Sequence, residues 1–328
     1  MVIFMTRLFD DRYGFPGYYD LIRCRECGLI ETWPQVSSDA TRRLYTEYYP
    51  RRHVDLESLP GQLLDPVTPL GRFRIWLQGA GTQGHLLAHR GMRALDLGCG
   101  MGTSLMELER MGVAAYGIEV DANVARVARH FNLRIHIGSL SDRPFPETSF
   151  DLISMNQVIE HIPDLPALLG GLKDRLVAGG RVAVAFPNVD SIYRRLFGRR
   201  WINWHVPYHL HHFNRRSFRR LCERHGWRIT RWRTATPNVW TLLQLRALGA
   251  RARMGTPSPL WTSAAGADDR GAPSPPRGRF GRPGRVPRRL ATFTLKVVAT
   301  TAVTAANRVI DLLGIGDAAV AVIEPRSP

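Results

Sequence analysis

The chain has 328 residues, 44% of them apolar, enough to bury a sizeable core and too apolar for a disordered protein. Its formal charge is +17, unevenly held: residues 193–233 carry twelve Arg against Glu223, and residues 246–290 carry ten Arg against Asp268 and Asp269. The remainder is close to neutral, so the positive field belongs to the C-terminal half and favours an anionic partner, whether a phosphate-bearing substrate, a membrane surface or nucleic acid.

Cysteines occur at 24, 27, 99 and 222. They give no disulfide framework, so a reducing, cytoplasmic compartment is expected. The opening MVIFMTRLFDD lacks the long apolar core of a signal peptide, and no stretch approaches the roughly 20 apolar residues of a spanning helix. Any membrane contact is expected to be peripheral, at the inner face.

In chain order, residues 1–50 form a Cys-pair segment, aromatic and turn-rich around CRECG, and 51–90 read as linker and helical lead-in, with RFRIWL the best helical piece. From 91 to 240 strand and helix patterns alternate, which predicts a parallel sheet with helices on both faces. The strands are RALDLG (93–98), AYGIEV (115–120), RIHIGS (134–139), FDLISM (150–155) and RVAVAFP (181–187), then a sixth at 227–235. Helices are expected at 103–111, 122–131, 164–177 (closed by Gly179 and Gly180) and 215–225, the last capped by Asn214. Residues 241–290, rich in Pro, Gly and Arg, read as a flexible insertion. In 291–328, Leu295, Val298, Ala302, Ala305, Val309 and Leu312 form one helical stripe, expected to pack in a core or dimer contact. DAAVAVIE (317–324) is expected as the last buried strand of the same sheet.

The informative cluster is LDLGCGMG (95–102). A strand ends in Asp96, then glycines follow at 98, 100 and 102, where a chain without Cβ atoms turns sharply and admits a ligand at a helix N-terminus. Glu119 lies 21 residues after Gly98 at the end of the next strand, placed to accept hydrogen bonds from both ribose hydroxyls. Thr103 stands where a dinucleotide fingerprint wants its last glycine. The pattern therefore favours a nucleoside with a cationic amino-acid tail, whose ammonium Asp96 binds directly or through water.

ALDLGCGMG, GIEVD, FDLISMNQVIEHIPD and VAGGR resemble the successive motifs of class I S-adenosylmethionine-dependent methyltransferases, over about residues 70–240. The resemblance implies an α/β fold, a Rossmann-like seven-stranded methyltransferase sheet. It implies S-adenosylmethionine as cofactor, held by Asp96, Gly98, Cys99, Gly100 and Glu119, with Ser139 and Leu140 near the adenine and Asn156 at the tip of strand four. PNVDSIYRRLFGRRWINWHVPYHLHHFNRRSF is similar to the block after strand five in a bacterial subgroup tied to cell-envelope, saccharide or lipid modification. CRECGL with LYTEYYP resembles that subgroup's N-terminal region, where two Cys pairs often hold zinc. Here Cys24 and Cys27 supply half of the four ligands that structural zinc wants, and the counterpart pair would fall before Met1. The bland reading of the pair is a solvent-exposed turn around Gly28.

For the transfer itself, His161 after strand four is the first candidate base and His209 the second, within the cluster His205, His209, His211 and His212. HLHHF also reads as an amphipathic strand with alternate histidines outward. The expected acceptor is a small molecule, saccharide or lipid-linked molecule, anionic, methylated on oxygen or carbon rather than nitrogen. A nucleic-acid methyltransferase is the rival reading, but strand four ends SMNQVIEH, with neither an Asp/Asn-Pro-Pro-aromatic signature nor a Pro-Cys nucleophile. A non-catalytic cofactor-binding protein at a membrane surface is the third.

Overall fold

The computed structural model describes residues 1–49, 55–261 and 300–326. Two sheets organise it. In the larger, β4 (Arg93–Leu97), β5 (Ala114–Glu119), β6 (Ile135–Ile137), β7 (Phe150–Asn156) and β8 (Leu176–Pro187) run parallel, and β10 (Trp227–Ala235) and β11 (Ala318–Pro325) close one edge. The order is β10-β11-β8-β7-β4-β5-β6, with β11 antiparallel to both neighbours. This is the expected seven-stranded Rossmann-like sheet, and the strand at the C-terminal end of the chain does insert between the fifth and the sixth. The strands read as continuous apolar runs because both faces are covered. On one face Phe150, Ile153, Val182, Val184 and Phe186 pack with Phe218 and Trp227; on the other Ala94, Ala115 and Leu152 meet Leu105, Leu108 and Val127.

The helices follow local signals. α3 (Thr103–Arg110) and α4 (Val124–His130) flank β5, and α5 (Leu165–Lys173) starts where the Asp164 side chain accepts from Ala167 N–H. α7 (Arg215–Arg224) has Asn214 as its N-cap, in a reciprocal capping box with Ser217. α5 stops earlier than expected, because Leu176 already pairs with Phe150 and both Gly179 and Gly180 lie inside the long strand β8.

The smaller sheet is antiparallel: β1 (Val2–Leu8), β2 (Tyr19–Arg23), β3 (Ile30–Trp33) and β9 (His211–His212). Residues 1–49 are therefore not an appendage. Tyr13, Phe15, Leu21 and Leu44 share a core with Tyr193, Trp201, Trp204 and Tyr208 from the segment after β8. α1 (Ser38–Arg43) runs on into a π-helical turn, Leu44–Tyr48, which lays Tyr45, Tyr48 and Tyr49 over that segment. α6 (Ile192–Phe197) lies between β8 and the tryptophans.

Three sequence expectations are corrected. Residues 55–90 pack rather than link: α2 (Pro69–Gln78) is capped by Thr68, and Leu64 N–H donates to the buried Glu107 carboxylate at 2.7 Å. Residues 241–249 belong to α8 (Asn238–Gly249), whose Gln244 donates to Arg200 C=O and accepts from Ile202 N–H, so the helix is ordered by polar docking despite its weak apolar pattern. The third correction concerns α9 (300–312). Of its stripe, Ala302, Ala305, Val309 and Leu312 are exposed, and Asn307 and Arg308 are buried instead. Asn307 hydrogen-bonds Tyr193, Asn238 and Thr241, while Arg308 pairs with Asp311 at 2.9 Å and donates to Thr236 C=O. Satisfying that network decides which face turns inward. Leu295 and Val298, and most of the Pro/Gly/Arg-rich stretch, lie outside the described residues.

Candidate active site

The loop after β4 turns through left-handed glycines, Gly98 (φ 75°), Gly100 (φ 53°) and Gly102 (φ 72°), into α3. Gly98 and Cys99 N–H both donate to Ile118 C=O, fixing the loop to the end of β5. A Cβ on Gly98 would stand 2.5 Å from Val158 Cγ2, whereas one on Gly100 would meet nothing within 4 Å. The open side of the loop is thus at Gly100, where a ligand could approach bare backbone. Glu119 accepts there: from Gly100 N–H at 2.9 Å, and from Val120 and Asp121 N–H at 2.8 and 3.0 Å. A carboxylate has about four acceptor positions, so a ribose hydroxyl has one left. Asn156, at the end of β7, keeps a buried Oδ1 with no partner among the described residues.

Other predicted cofactor residues are placed differently. Asp96 is buried, with its two oxygens taken by the Ser104 and Ser154 hydroxyls at 2.5 and 2.6 Å, and desolvation raises its pKa. It ties α3 to β7 and has no exposed oxygen to offer directly. Beside it His85 and Glu107 form a buried pair at 2.6 Å. Cys99 turns its thiol into the core against Gly117, and its backbone N–H and C=O are held by Ile118 C=O and Gly102 N–H. Ser139 caps the short turn Leu140–Asp142 through Asp142, and Leu140 packs towards Gly171.

Next to the glycine loop, the turn Ile159–His161 brings Glu160 and His161 against the histidine-rich segment. Glu160 is fully buried, neither carboxyl oxygen has a partner among the described residues, and burial pushes its pKa up to about 8. Leu210 N–H donates to Glu160 C=O at 2.8 Å, clamping the two loops together. His161 donates its Nδ1–H to Tyr208 C=O at 2.9 Å, and His209 donates its own to Asn203 C=O at 2.9 Å. Burial lowers His161 to about 4 and His209 well below the usual imidazole range. Both rings are neutral at pH 7, with Nε2 as the lone-pair atom, and their centroids are 4.7 Å apart at 82°.

All four histidines of 205–212 are buried, against the expectation of alternate ones facing outward. The β3–β9 pairing and Thr32, which donates to His209 C=O and contacts His212 Nε2 at 3.2 Å, close that side. Tyr13, Tyr45 and Tyr49 surround the Tyr208 ring at 5.6–5.9 Å, edge-on or tilted. The Tyr45 hydroxyl lies 3.2 Å from His161 Nδ1. Sequence reading missed this tyrosine wall; the run LYTEYYP was its only local signal.

Cys24 and Cys27 sit in a hairpin turn closed by Gly28 N–H to Cys24 C=O at 3.0 Å. Arg23, Arg25 and Arg216 line the same cleft of about 340 Å³. Among the described residues no third His, Cys, Asp or Glu joins the pair, and three guanidinium groups disfavour a cation there.

A parallel sheet with an antiparallel last strand inserted, a glycine loop after its first strand and an acid ending its second define the class I methyltransferase fold. Residues 79–231 match the family model of a methyltransferase domain, just under half of the chain. The chain is 36% identical over 98 residues to a ubiquinone biosynthesis O-methyltransferase of Paramagnetospirillum magneticum, covering 27% of this chain and 38% of the relative. It is 33% identical over 110 residues to a trans-aconitate 2-methyltransferase of Deinococcus radiodurans, covering 32% and 42%. The chain thus spans about two fifths of the length of these curated relatives. A solved cyclopropane synthase of Mycobacterium tuberculosis superposes with TM-score 0.45 and 14% identity, over 83% of this chain and 94% of that one.

Proposed function

We propose that this protein transfers a methyl group from S-adenosylmethionine to a hydroxyl of a small-molecule, saccharide or lipid-linked acceptor. The observation that carries the reading is the pair of neutral imidazoles, His161 and His209, beside an open glycine loop whose Glu119 suits a nucleoside. When bound, the sulfonium supplies an already activated methyl carbon and leaves as a neutral thioether. The chain's own residues must align the acceptor and remove its proton. Nδ1–H bonds to Tyr208 and Asn203 carbonyls fix both tautomers, so an Nε2 lone pair takes the hydroxyl proton as oxygen meets the methyl carbon. The tyrosine rings beside the histidines offer aromatic faces that favour a ring-bearing acceptor. The curated relatives named as O-methyltransferases support the same atom type.

His161→Ala is the test. With labelled S-adenosylmethionine and a panel of quinol, nucleotide-sugar, glycan and lipid acceptors, turnover should fall about 10²–10⁴-fold while cofactor affinity stays. Full turnover would remove His161 from the chemistry. Peripheral seating on a membrane belongs to the same proposal. It is supported by exposed Phe73, Trp76, Leu312 and Leu313 on α2 and at the end of α9, and by the guanidinium-rich α7. Co-sedimentation with anionic vesicles measures it.

A further inference from the structure

Glu160 poses a question that the methyl-transfer reading leaves open. A carboxyl group with no solvent exposure and, among the described residues, two unpartnered oxygens is a costly arrangement that a bound ligand would relieve. Its neighbours supply the context. One ligand atom each from Glu160, His161 and His209 lies within 4.8 Å of the other two. Both imidazoles spend Nδ1–H on a backbone carbonyl, the arrangement that orients metal-ligating histidines and directs Nε2 as the donor. The two loops carrying the ligands are already clamped by Leu210 N–H to Glu160 C=O.

We propose that Glu160, His161 and His209 form a two-histidine, one-carboxylate site for a divalent transition-metal ion. Two imidazole nitrogens select zinc, iron(II), cobalt(II) or nickel over magnesium and calcium, which prefer all-oxygen shells. Tetrahedral zinc ligands lie about 3.4 Å apart, from Zn–N and Zn–O distances near 2.1 Å, so rotamer adjustments close the site. Three protein ligands leave a position for an exogenous oxygen. The site's existence rests on geometry alone; its role rests on the proposed methyl transfer. With the metal bound both Nε2 lone pairs are ligands, so the cation would replace the imidazole base of the metal-free protein: it would acidify an acceptor hydroxyl at the open position, and the proton would leave to water rather than to His161 or His209.

The test is cobalt(II) titration of the full chain after chelation, in a Cys24→Ser, Cys27→Ser background that removes the only thiol pair. The expected result is one equivalent bound, with visible d–d bands and no thiolate charge-transfer band. Glu160→Gln and His209→Ala should each weaken binding by about 100-fold, with S-adenosylmethionine affinity confirming that each variant is folded. X-ray absorption of the unmutated chain with one equivalent of zinc needs no variant to fold and should show nitrogen and oxygen neighbours only. Absence of stoichiometric binding, a sulfur shell, or unchanged affinity in both variants would overturn the site. Cofactor binding measured alongside separates that failure from failure of the methyltransferase reading.

Discussion

The glycine loop and the histidine–tyrosine wall meet at one end of the sheet, yet they are made in opposite ways. The loop is contiguous chain, residues 97–121, and its working groups are backbone N–H donors around one carboxylate, Glu119. The wall is assembled from buried Tyr13, Glu160 and the histidines of 205–212, from half-buried His161, and from Tyr45 and Tyr49 on its exposed side, and its working groups are side chains. A site of backbone depends on a few residues that permit the conformation. A site of side chains depends on every segment that holds them, so stability and chemistry are coupled in the second and largely separate in the first.

The largest expected effect that sharpens this contrast comes from the wall. Tyr208→Ala removes the ring on which Tyr13, Tyr45, Tyr49 and His205 pack, and should cost about 3–5 kcal/mol in thermal or denaturant unfolding. Cofactor affinity should be unchanged in the folded variant; a parallel loss would show that the two regions are one unit. Glu119→Ala is the converse. Losing charge-assisted bonds worth about 1.5–3 kcal/mol should raise the cofactor dissociation constant roughly 10–150-fold by calorimetry, with little change in melting temperature. Gly98→Ala forces a Cβ onto Val158 at a left-handed φ, a strain of about 1–3 kcal/mol. Val158→Ala in the same chain should recover the steric part of the lost affinity, and no recovery would break the assignment of that contact.

The smallest effect concerns Asp317, which holds Ser191, Trp201 and Asn203 and so supports the segment leading into the histidines. Burial raises its pKa from 3.8 to about 7. The folded state therefore binds this proton more tightly than the unfolded chain, and stability falls as pH rises through the window between those values, by at most about 1.4 kcal/mol per pH unit. Asp317→Asn should flatten the slope of unfolding free energy between pH 4 and 7. An unaltered slope would assign it to other buried acids, such as Asp311 nearby.

Much of the sheet was legible because its signals are local. Apolar runs marked β4, β5, β7, β8, β10 and β11, and Asn214 marked the start of α7. Gly98, Gly100 and Glu119 could be read for the same reason, since backbone conformation is a property of the residue itself. The final strand was also placed in this sheet, although its insertion between β8 and β10 is a matter of pairing.

What only the tertiary structure decided are the contacts without a period. Glu160 looks like any acid after a strand until Leu210, 50 residues on, closes over it. The histidines of HLHHF alternate like a half-exposed strand until β3 and Thr32 cover the second side. The stripe on α9 promises an apolar contact, and the chain buries Asn307 and Arg308 because their partners lie on α8, α6 and the end of β10. Sequence determined the glycine loop because it is written in backbone geometry. Tertiary packing decided the histidine cluster, because a buried polar side chain is fixed by the partners it is given.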